Sequence, residues 1–335
     1  MSPSGRKSIR LGVIGGGYWG QNIVRTCAEL DVLAAVCDSD EQVLARALRE
    51  HPHTMVFDDL DRMLQEPLDG VMIATPAETH VDFAVRALAK HKHVFVEKPM
   101  ALSLEEGRRM AAAAEAAGRQ LFVGHLLLYH PAVRKIHALL SDNVIGRVWH
   151  LRSRRLSLGR LRQRETVWWS FAPHDVALIL SLMGEEPESV TASQAGWLSS
   201  RIPDVAYADF HFSKGRTAHV EVSWLDPHKS SRLDIFGTNG VITFEDLRSD
   251  YRLSVCHGGS RPDERGLLRI WRGEAYEVPV EPSEPLREEI VAFLTSVRFG
   301  IPAESDAQEG LAVMRALAMA DEACARAQPT SEALA

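Results

Sequence analysis

A glycine-rich turn between a strand pattern and a helix pattern constrains this chain most. Gly15, Gly17 and Gly20 form G-x-G-x-x-G directly after the apolar run 9–14 and at the start of a helical pattern over 18–30. Glycine permits a tight turn and a close approach to a pyrophosphate, whose charge suits a helix N-terminus. The placement therefore predicts a dinucleotide-binding turn. The alternative is a turn that only closes a strand–helix unit.

An acidic residue supports the dinucleotide interpretation. Asp38 ends the next apolar strand pattern, at about the 20-residue spacing expected for the carboxylate that binds the adenosine ribose. Asp40 follows, and no arginine stands beside it in the sequence. A 2′-phosphate would be repelled there, so the pattern favours NAD over NADP.

Short apolar strand patterns alternate with amphipathic helical patterns through the first 125 residues. Ser103 is predicted to cap one of the helices, with Glu106 as its capping-box partner. This alternation indicates a parallel sheet covered on both faces. The strand patterns cover residues 9–14, 32–37, 54–57, 71–74, 93–96 and 121–123.

In such a sheet, ligands bind outside the carboxyl ends of the strands. Three strand patterns end in polar or reactive residues there: Thr75-Pro76, Glu97-Lys98-Pro99 and Gly124-His125. An ammonium group at this edge would lie near a nicotinamide. From position alone, Lys98 is equally well interpreted as a surface lysine that pairs with Glu97.

The rest of the chain predicts a second, different domain. Six strand-like patterns lie between residues 147 and 244, and several alternate apolar and polar residues. Alternation suits a broad sheet with one face solvated or covered by a partner. Two helical patterns follow, over 286–298 and 307–326.

His174 precedes an apolar helical repeat that Gly184 ends. The repeat places His174 in the first turn of that helix, just after Pro173. A histidine there either faces a cleft or only caps and packs.

Six arginines fall within thirteen residues of a chain whose net charge is −7. Arginine forks bind phosphate oxygens bidentately, so this segment is a candidate diphosphate site, with Trp169 stacking on a base or sugar. The alternative is a solvated face with salt bridges, and strand alternation would turn some of these side chains away from any cleft. The arginines are Arg152, Arg154, Arg155, Arg160, Arg162 and Arg164.

Bulk properties exclude several classes of protein. The 335 residues suit two domains, and the acidic balance argues against nucleic-acid binding. No apolar run reaches the roughly 18 residues of a membrane span, and no signal segment precedes the first strand pattern. Four scattered cysteines and the histidines show no metal-ligand spacing. We expect a cytoplasmic protein without a metal or a membrane partner.

Several motifs together resemble the Gfo/Idh/MocA oxidoreductases. They are GVIGGGYWG (12–20), ATPAETH (74–80), VEKPMA (96–101), VGH (123–125), PHDVALIL (173–180) and FGTNGVITF (236–244). The resemblance implies an α/β fold: a Rossmann domain with a parallel sheet over 1–125, then an α/β domain with a large, mostly antiparallel sheet over 126–335. It also implies that a C-terminal helix, about 305–326, packs back on the Rossmann domain.

The resemblance also implies NAD(P)-linked chemistry on a sugar-like hydroxyl or ketone. It makes Lys98 catalytic and His174 the acid or base. The cofactor contacts would be Gly15, Gly17, Tyr18, Trp19, Gly20, Asp38, Thr75, Pro76, His80, Glu97 and Lys98. The substrate contacts would be Lys98, His125, Tyr129, Arg155, Arg160, Arg162, Trp169 and His174.

This chain departs from the family pattern at two places. Ser170 stands where many members carry an aspartate four residues before the histidine, and Leu128-Tyr129 stands where members often have Arg-Phe. The first departure puts an Asp–His relay in doubt.

The runs GHLLLYHPAV (124–133), SRRLSLGR (153–160), WSFAPHDV (169–176) and EVSWLDPHK (221–229) resemble the members that oxidise the C3 hydroxyl of a UDP-N-acetylhexosamine. The implied substrate is a nucleotide sugar such as UDP-N-acetylglucosamine, and the implied assembly is a homodimer or homotetramer through the second sheet. One alternative is an inositol or free-sugar dehydrogenase on the same fold. Another is a non-catalytic NAD-linked sensor, against which the presence of both Lys98 and His174 argues.

Overall fold

The computed structural model describes residues 8–158, 165–198, 202–246 and 251–327. The chain divides into two compact units. The first comprises Met1–Leu126 and Glu284–Met314, and the second comprises Leu127–Ser283 and Arg315–Ala335.

The first unit contains a six-stranded parallel sheet in the order β3-β2-β1-β4-β5-β6. The strand order reverses beside β1, whose two neighbours are β2 and β4. That reversal is where doubly wound folds bind ligands, outside the carboxyl ends of the strands. The strands are β1 (Leu11–Ile14), β2 (Leu33–Cys37), β3 (Met55–Phe57), β4 (Gly70–Ile73), β5 (His93–Glu97) and β6 (Leu121–Gly124).

The second unit contains an eight-stranded sheet in the order β14-β13-β12-β11-β7-β10-β9-β8. β7 and β10 pair in parallel, whereas the other neighbouring strands run antiparallel. The strands are β7 (Val148–Leu158), β8 (Ser189–Ala195), β9 (Val205–His211), β10 (Thr217–Ser223), β11 (Leu225–Gly237), β12 (Gly240–Asp246), β13 (Tyr251–Pro262) and β14 (Leu268–Glu277).

Helices separate or follow these strands. Those among the described residues are α1 (Gly20–Glu29), α2 (Glu41–Glu50), α3 (Leu60–Leu64), α4 (His80–Ala89), α5 (Leu104–Ala117), α6 (Pro131–Ser141), α7 (Val167–Met183), α8 (Pro285–Phe299) and α9 (Ala307–Ala327). None of them is both long and apolar enough to cross a membrane.

The predicted α/β class, with one parallel and one mostly antiparallel sheet, is confirmed. The Ser103 cap also forms, since its hydroxyl accepts a hydrogen bond from the Glu106 amide at 3.2 Å. Glu106 in turn accepts from the amide of Leu102, at 3.2 Å. The Ser103 hydroxyl thereby satisfies one orphan donor of α5, whereas the Glu106 side chain accepts from the residue before the cap and not from the Ser103 amide of a capping box.

An aromatic cluster packs α8 against the parallel sheet. Phe95 on β5 and Phe122 on β6 stack with their ring centroids 5.1 Å apart, and Phe293 meets them edge-on at 5.9 and 5.6 Å. The chain also covers the outer edge of β6, where the Val123 amide donates to the Ser305 carbonyl at 2.9 Å. Residues 284–314 thus complete the first unit.

The second sheet has one apolar and one polar face. Ala208, Phe210, Val220 and Val222 are buried on the side that α7 covers, and Trp168 of α7 stacks on Phe210 with a centroid distance of 6.3 Å. The opposite face carries charged side chains. The predicted alternation therefore describes this sheet correctly.

The structure corrects two expectations about this unit. α7 begins at Val167, after a cap by Thr166, so His174 is its eighth residue and not in its first turn. Pro173 lies inside the helix, where a proline disfavours the helical turn before it. The burial of Val167 and Trp168 stabilises that turn. Sequence patterning also missed β13 and β14, of which β14 is largely exposed.

Candidate active site

The glycine motif forms a tight turn between β1 and α1. Gly15 has φ +87°, and a Cβ there would lie 2.8 Å from Thr75 Cγ2. A Cβ at Gly20 would overlap the Gly15 carbonyl oxygen, whereas no atom of the described residues lies within 4 Å of a Cβ at Gly17. α1 starts here with no side-chain cap and no acidic residue in its first turn. This open backbone at a helix N-terminus fits a pyrophosphate.

Asp38 is held directly beside the turn. Its carboxylate accepts hydrogen bonds from the amides of Gly16, at 2.7 Å, and Asp40, at 3.0 Å. A carboxylate at this position suits free ribose hydroxyls. Sequence reasoning missed Arg46 on α2, which donates to the Gly16 carbonyl, because no linear signal links a helix-face arginine to the turn.

The loops after β4 and β5 are joined by a buried histidine. The ring nitrogens of His80 lie 2.9 Å from the Thr75 carbonyl oxygen and 3.0 Å from that of Pro99. Thr75 also contacts Thr79 through the two hydroxyls, at 2.6 Å. His80 therefore fixes two strand ends, and its predicted contact with a cofactor stays a prediction.

Glu97 links the end of β5 to the glycine turn. Its carboxylate accepts a hydrogen bond from the indole of Trp19 at 2.5 Å, and its other oxygen packs over Gly124, where a Cβ would be 3.1 Å away. Burial raises the pKa of Glu97, while the Trp19 hydrogen bond and the charge of Lys98 act in the opposite direction. Half-buried Lys98 follows directly.

His125 is buried at the end of β6. Its Nδ1 lies 2.7 Å from a carboxylate oxygen of Glu309 on α9. Sequence reasoning missed Glu309, because nothing in the sequence brings residue 309 to residue 125. The first unit thus gathers Gly15, Trp19, Asp38, Thr75, Glu97, Lys98 and His125 at or beside the carboxyl ends of its strands.

The predicted substrate residues of the second unit occupy different settings. Tyr129 is buried in a short helical turn, Leu126–Tyr129. Trp169 donates its indole hydrogen to Asp321 of α9 at 2.6 Å, and burial raises the pKa of that carboxyl. His174 lies on α7, one helical turn after buried Ser170.

Two described arginines of the segment 152–164 lie on opposite faces of the second sheet. Arg155 forms a two-point ion pair with Asp175 of α7, at 2.7 and 3.2 Å, and Ser153 donates to the same carboxylate at 2.6 Å. Arg152 pairs instead with Asp234 on the opposite face, at 2.8 Å. Phosphate binding by Arg155 would compete with Asp175. Arg160, Arg162 and Arg164 lie outside the described residues.

Comparison with family models decides the classification. A model of the GFO/IDH/MocA oxidoreductase family with an NAD-binding Rossmann fold matches residues 9–125. A model of the GFO/IDH/MocA C-terminal domain matches residues 133–243. The chain belongs to this family. The prediction of an NAD-dependent oxidoreductase is thereby confirmed.

Individual relatives of this Gfo/Idh/MocA chain carry different activities. A UDP-N-acetylglucosamine 3-dehydrogenase of Acidithiobacillus ferrooxidans is 28% identical over 92% of this chain and 95% of that protein. A solved structure of the enzyme from that organism superposes with a TM-score of 0.82 at 26% identity, over 95% of this chain and 98% of that one.

Two further relatives bear other names. An Escherichia coli 2,7-anhydro-N-acetylneuraminate hydratase is 27% identical over 71% of this chain and 68% of that protein. A Klebsiella pneumoniae inositol 2-dehydrogenase is 26% identical over 97% of this chain and 95% of that protein. The family therefore establishes the cofactor domain and the oxidoreductase class, and its members act on different substrates.

Proposed function

We propose that this protein oxidises a ring hydroxyl of a nucleotide sugar, the C3 hydroxyl of UDP-N-acetylglucosamine or a close analogue, to a ketone. The observation that carries the CH–OH chemistry is the placement of Lys98. It follows Glu97 at the carboxyl end of β5, and Glu97 is hydrogen-bonded to the glycine turn through Trp19. The nucleotide sugar is supported by the near full-length similarity to a UDP-N-acetylglucosamine 3-dehydrogenase.

The residues of the first unit fit NAD. The turn at Gly15, Gly17 and Gly20 would hold the pyrophosphate, and Asp38 would hold the adenosine ribose. NAD supplies a hydride acceptor when bound. The protein must then bind the sugar, remove the hydroxyl proton and stabilise the charge that develops on oxygen.

Lys98 and His174 are assigned those remaining tasks. His174 takes the hydroxyl proton as a general base. The ammonium group of Lys98 stabilises the developing alkoxide. Ser170 stands where an aspartate would otherwise support the histidine, so we assign no Asp–His relay.

A substrate panel tests the proposal. The protein is incubated with NAD and, separately, with UDP-N-acetylglucosamine, other UDP-sugars, myo-inositol and free sugars, and NADH is followed by its absorbance. We expect turnover with a UDP-N-acetylhexosamine at a kcat/KM at least tenfold above that for any polyol. A preference for inositol would show that the substrate is a free polyol and not a nucleotide sugar. NAD binding without turnover on any substrate would favour a sensor.

We also propose that the protein assembles into a homodimer or homotetramer through its eight-stranded sheet. The support is the long sheet with an open polar face and exposed apolar residues along β14, including Leu268 and Ile270.

A further inference from the structure

A buried carboxyl group that the proposed reaction does not use lies in the first unit. Glu289 on α8 is 1% exposed. Among the described residues, neither of its carboxylate oxygens has a hydrogen-bond partner. A carboxylate without donors is poorly tolerated away from water, whereas a neutral carboxylic acid is tolerated far better.

The packing of α8 directs Glu289 toward the end of β5. Phe293, one helical turn further along the same face, packs on Phe95 of β5. Glu97 lies two residues beyond Phe95 and so on the same face of that strand. The two carboxyl groups interact electrostatically, in agreement with this placement.

The surroundings assign the proton to Glu289 and the negative charge to Glu97. Burial, and secondly the charge of Glu97, raise the pKa of Glu289 well above its ordinary value. Burial raises the pKa of Glu97 too, but Trp19, Lys98 and His125 oppose that shift.

Three other ionisable side chains near this point or on α8 and α1 have partners among the described residues. His125 is held by Glu309 of α9. The outer side of α8 meets α1 through two ion pairs at the surface, Arg25–Glu284 and Arg287–Glu29. Among the described residues, Glu97 is the charged group that acts on Glu289.

We propose that Glu289 is a positioning residue: it is a neutral acid at pH 7, so that the Glu97–Glu289 pair carries one negative charge, and its ionisation at alkaline pH extends the pH range over which Lys98 stays an ammonium ion. The pair shares one proton, and a shift of that proton between the two carboxyls leaves the net charge at −1. Loss of the proton at alkaline pH gives −2, which holds the ammonium more firmly. The inference rests on the proposed role of Lys98.

Infrared spectroscopy of the protein without added cofactor tests the protonation state. The variant is Glu289→Gln, and the matched control is Glu288→Gln on the adjacent, half-exposed position. At pH 7 we expect the wild-type spectrum to contain a carbonyl stretch of a protonated carboxylic acid that Glu289→Gln lacks and Glu288→Gln retains. If all three spectra agree, Glu289 is ionised at pH 7 and the proposal is wrong.

Stability against pH gives a second test that needs no substrate. A carboxyl whose pKa is raised on folding stabilises the protein at acidic pH, and this contribution is lost as pH rises toward the folded-state pKa. The melting temperature of Glu289→Gln should therefore rise relative to wild type between pH 5 and pH 8. This range lies above the pKa of roughly 4.3 that a glutamate has in the unfolded chain. A constant difference would overturn the proposal. Glu289→Met replaces the glutamine variant if that one does not fold.

The pH profile of kcat/KM tests the action on Lys98, with whichever substrate the panel identifies. In Glu289→Gln the pair never reaches −2, so the alkaline loss of activity should begin at lower pH than in wild type. The Glu288→Gln profile should match wild type. Coinciding profiles for all three proteins would refute the positioning role, even with the infrared difference present. If UDP-sugars are not turned over, the proposed substrate is wrong, but the infrared and melting measurements still test the protonation of Glu289.

Discussion

Trp19 and Glu97 are 78 residues apart in the chain and share a hydrogen bond of 2.5 Å. That contact connects the turn predicted to hold the cofactor to the strand end that carries Lys98. A glycine at position 124 leaves the space that the Glu97 side chain occupies. At the scale of single residues, the position of Glu97 therefore depends on the Trp19 indole and on the absence of a side chain at Gly124.

Replacement of Lys98 separates catalysis from cofactor binding. In Lys98→Met we expect turnover to fall by at least about 10²-fold, because the charge that stabilises the developing alkoxide is removed, while NAD affinity stays within about threefold. NADH absorbance measures the first quantity and calorimetric titration with NAD the second. Lys90→Met, at an exposed position after α4, is the control. Wild-type turnover in Lys98→Met would disprove the assigned role.

Replacement of Asp175 tests the ion pair beneath the second sheet. Asp175→Asn leaves the largely buried guanidinium of Arg155 without its counter-charge, so the free energy of unfolding should fall by about 3 kcal/mol. Asp209→Asn breaks a more exposed pair with His219 and should cost less than about 1 kcal/mol. Urea denaturation measures both. Equal losses would contradict the structural role of the Arg155–Asp175 pair.

At the scale of elements, the start of α1 could be predicted from the sequence, whereas the start of α7 could not. α1 begins where its glycine motif predicts. α7 begins seven residues before His174, because tertiary burial of Val167 and Trp168 extends the helix through Pro173. The first is a local steric property, and the second depends on what the helix packs against.

Two glycines of the turn have separable roles. Gly17→Ala adds a methyl group to open space, so stability should be unchanged while NAD affinity falls about tenfold or more, because the pyrophosphate approaches this backbone. Gly20→Ala forces the methyl group against the Gly15 carbonyl oxygen, so stability and affinity should both fall. Thermal melting and NAD titration measure the two effects. Unchanged NAD affinity in Gly17→Ala would place the pyrophosphate elsewhere.

Replacement of two arginines that follow β7 in the sequence distinguishes a nucleotide-sugar substrate from a polyol. Arg160→Ala/Arg162→Ala should raise KM for the UDP-sugar about tenfold or more and leave kcat within twofold, because charge-assisted bonds to the diphosphate are lost. The control is Arg49→Ala/Arg109→Ala at two exposed helical positions. An unchanged KM would argue for a substrate without a diphosphate.

At the scale of the whole molecule, two compact units form from a chain that returns to the first unit after completing most of the second. Residues 284–314 bring Phe293 and Glu309 to the parallel sheet. The second unit keeps one sheet face polar, with Arg152, Asp234 and His219 among its polar residues.

The proposed assembly predicts a mass well above that of one chain. Light scattering should give two or four times 37.2 kDa. Because exposed apolar side chains on β14 support this assembly, Ile270→Lys should lower the mass or the association constant, whereas Lys214→Glu at another exposed site should not. A wild-type mass of one chain would contradict the proposal.

Much of the site could be predicted from local pattern. Gly15, Asp38 and Lys98 each follow a short apolar strand, and parallel strands bring their carboxyl ends to one edge. The partners of these residues could not be predicted in the same way. Arg46, Glu309 and Glu289 sit on helices, where a charged residue inside an amphipathic pattern gives no sign of which strand end it meets.

The amino-acid sequence by itself determined the alternation of strands and helices, the glycine turn and the family, since these follow from hydrophobic periodicity, backbone sterics and residue spacing. Only the tertiary structure decided that Arg155 pairs with Asp175, that α7 runs through Pro173, and that the Glu289 carboxyl is buried without a hydrogen-bond partner among the described residues. The physical reason is that burial and charge pairing depend on residues distant in the chain, and no local pattern encodes which of them meet.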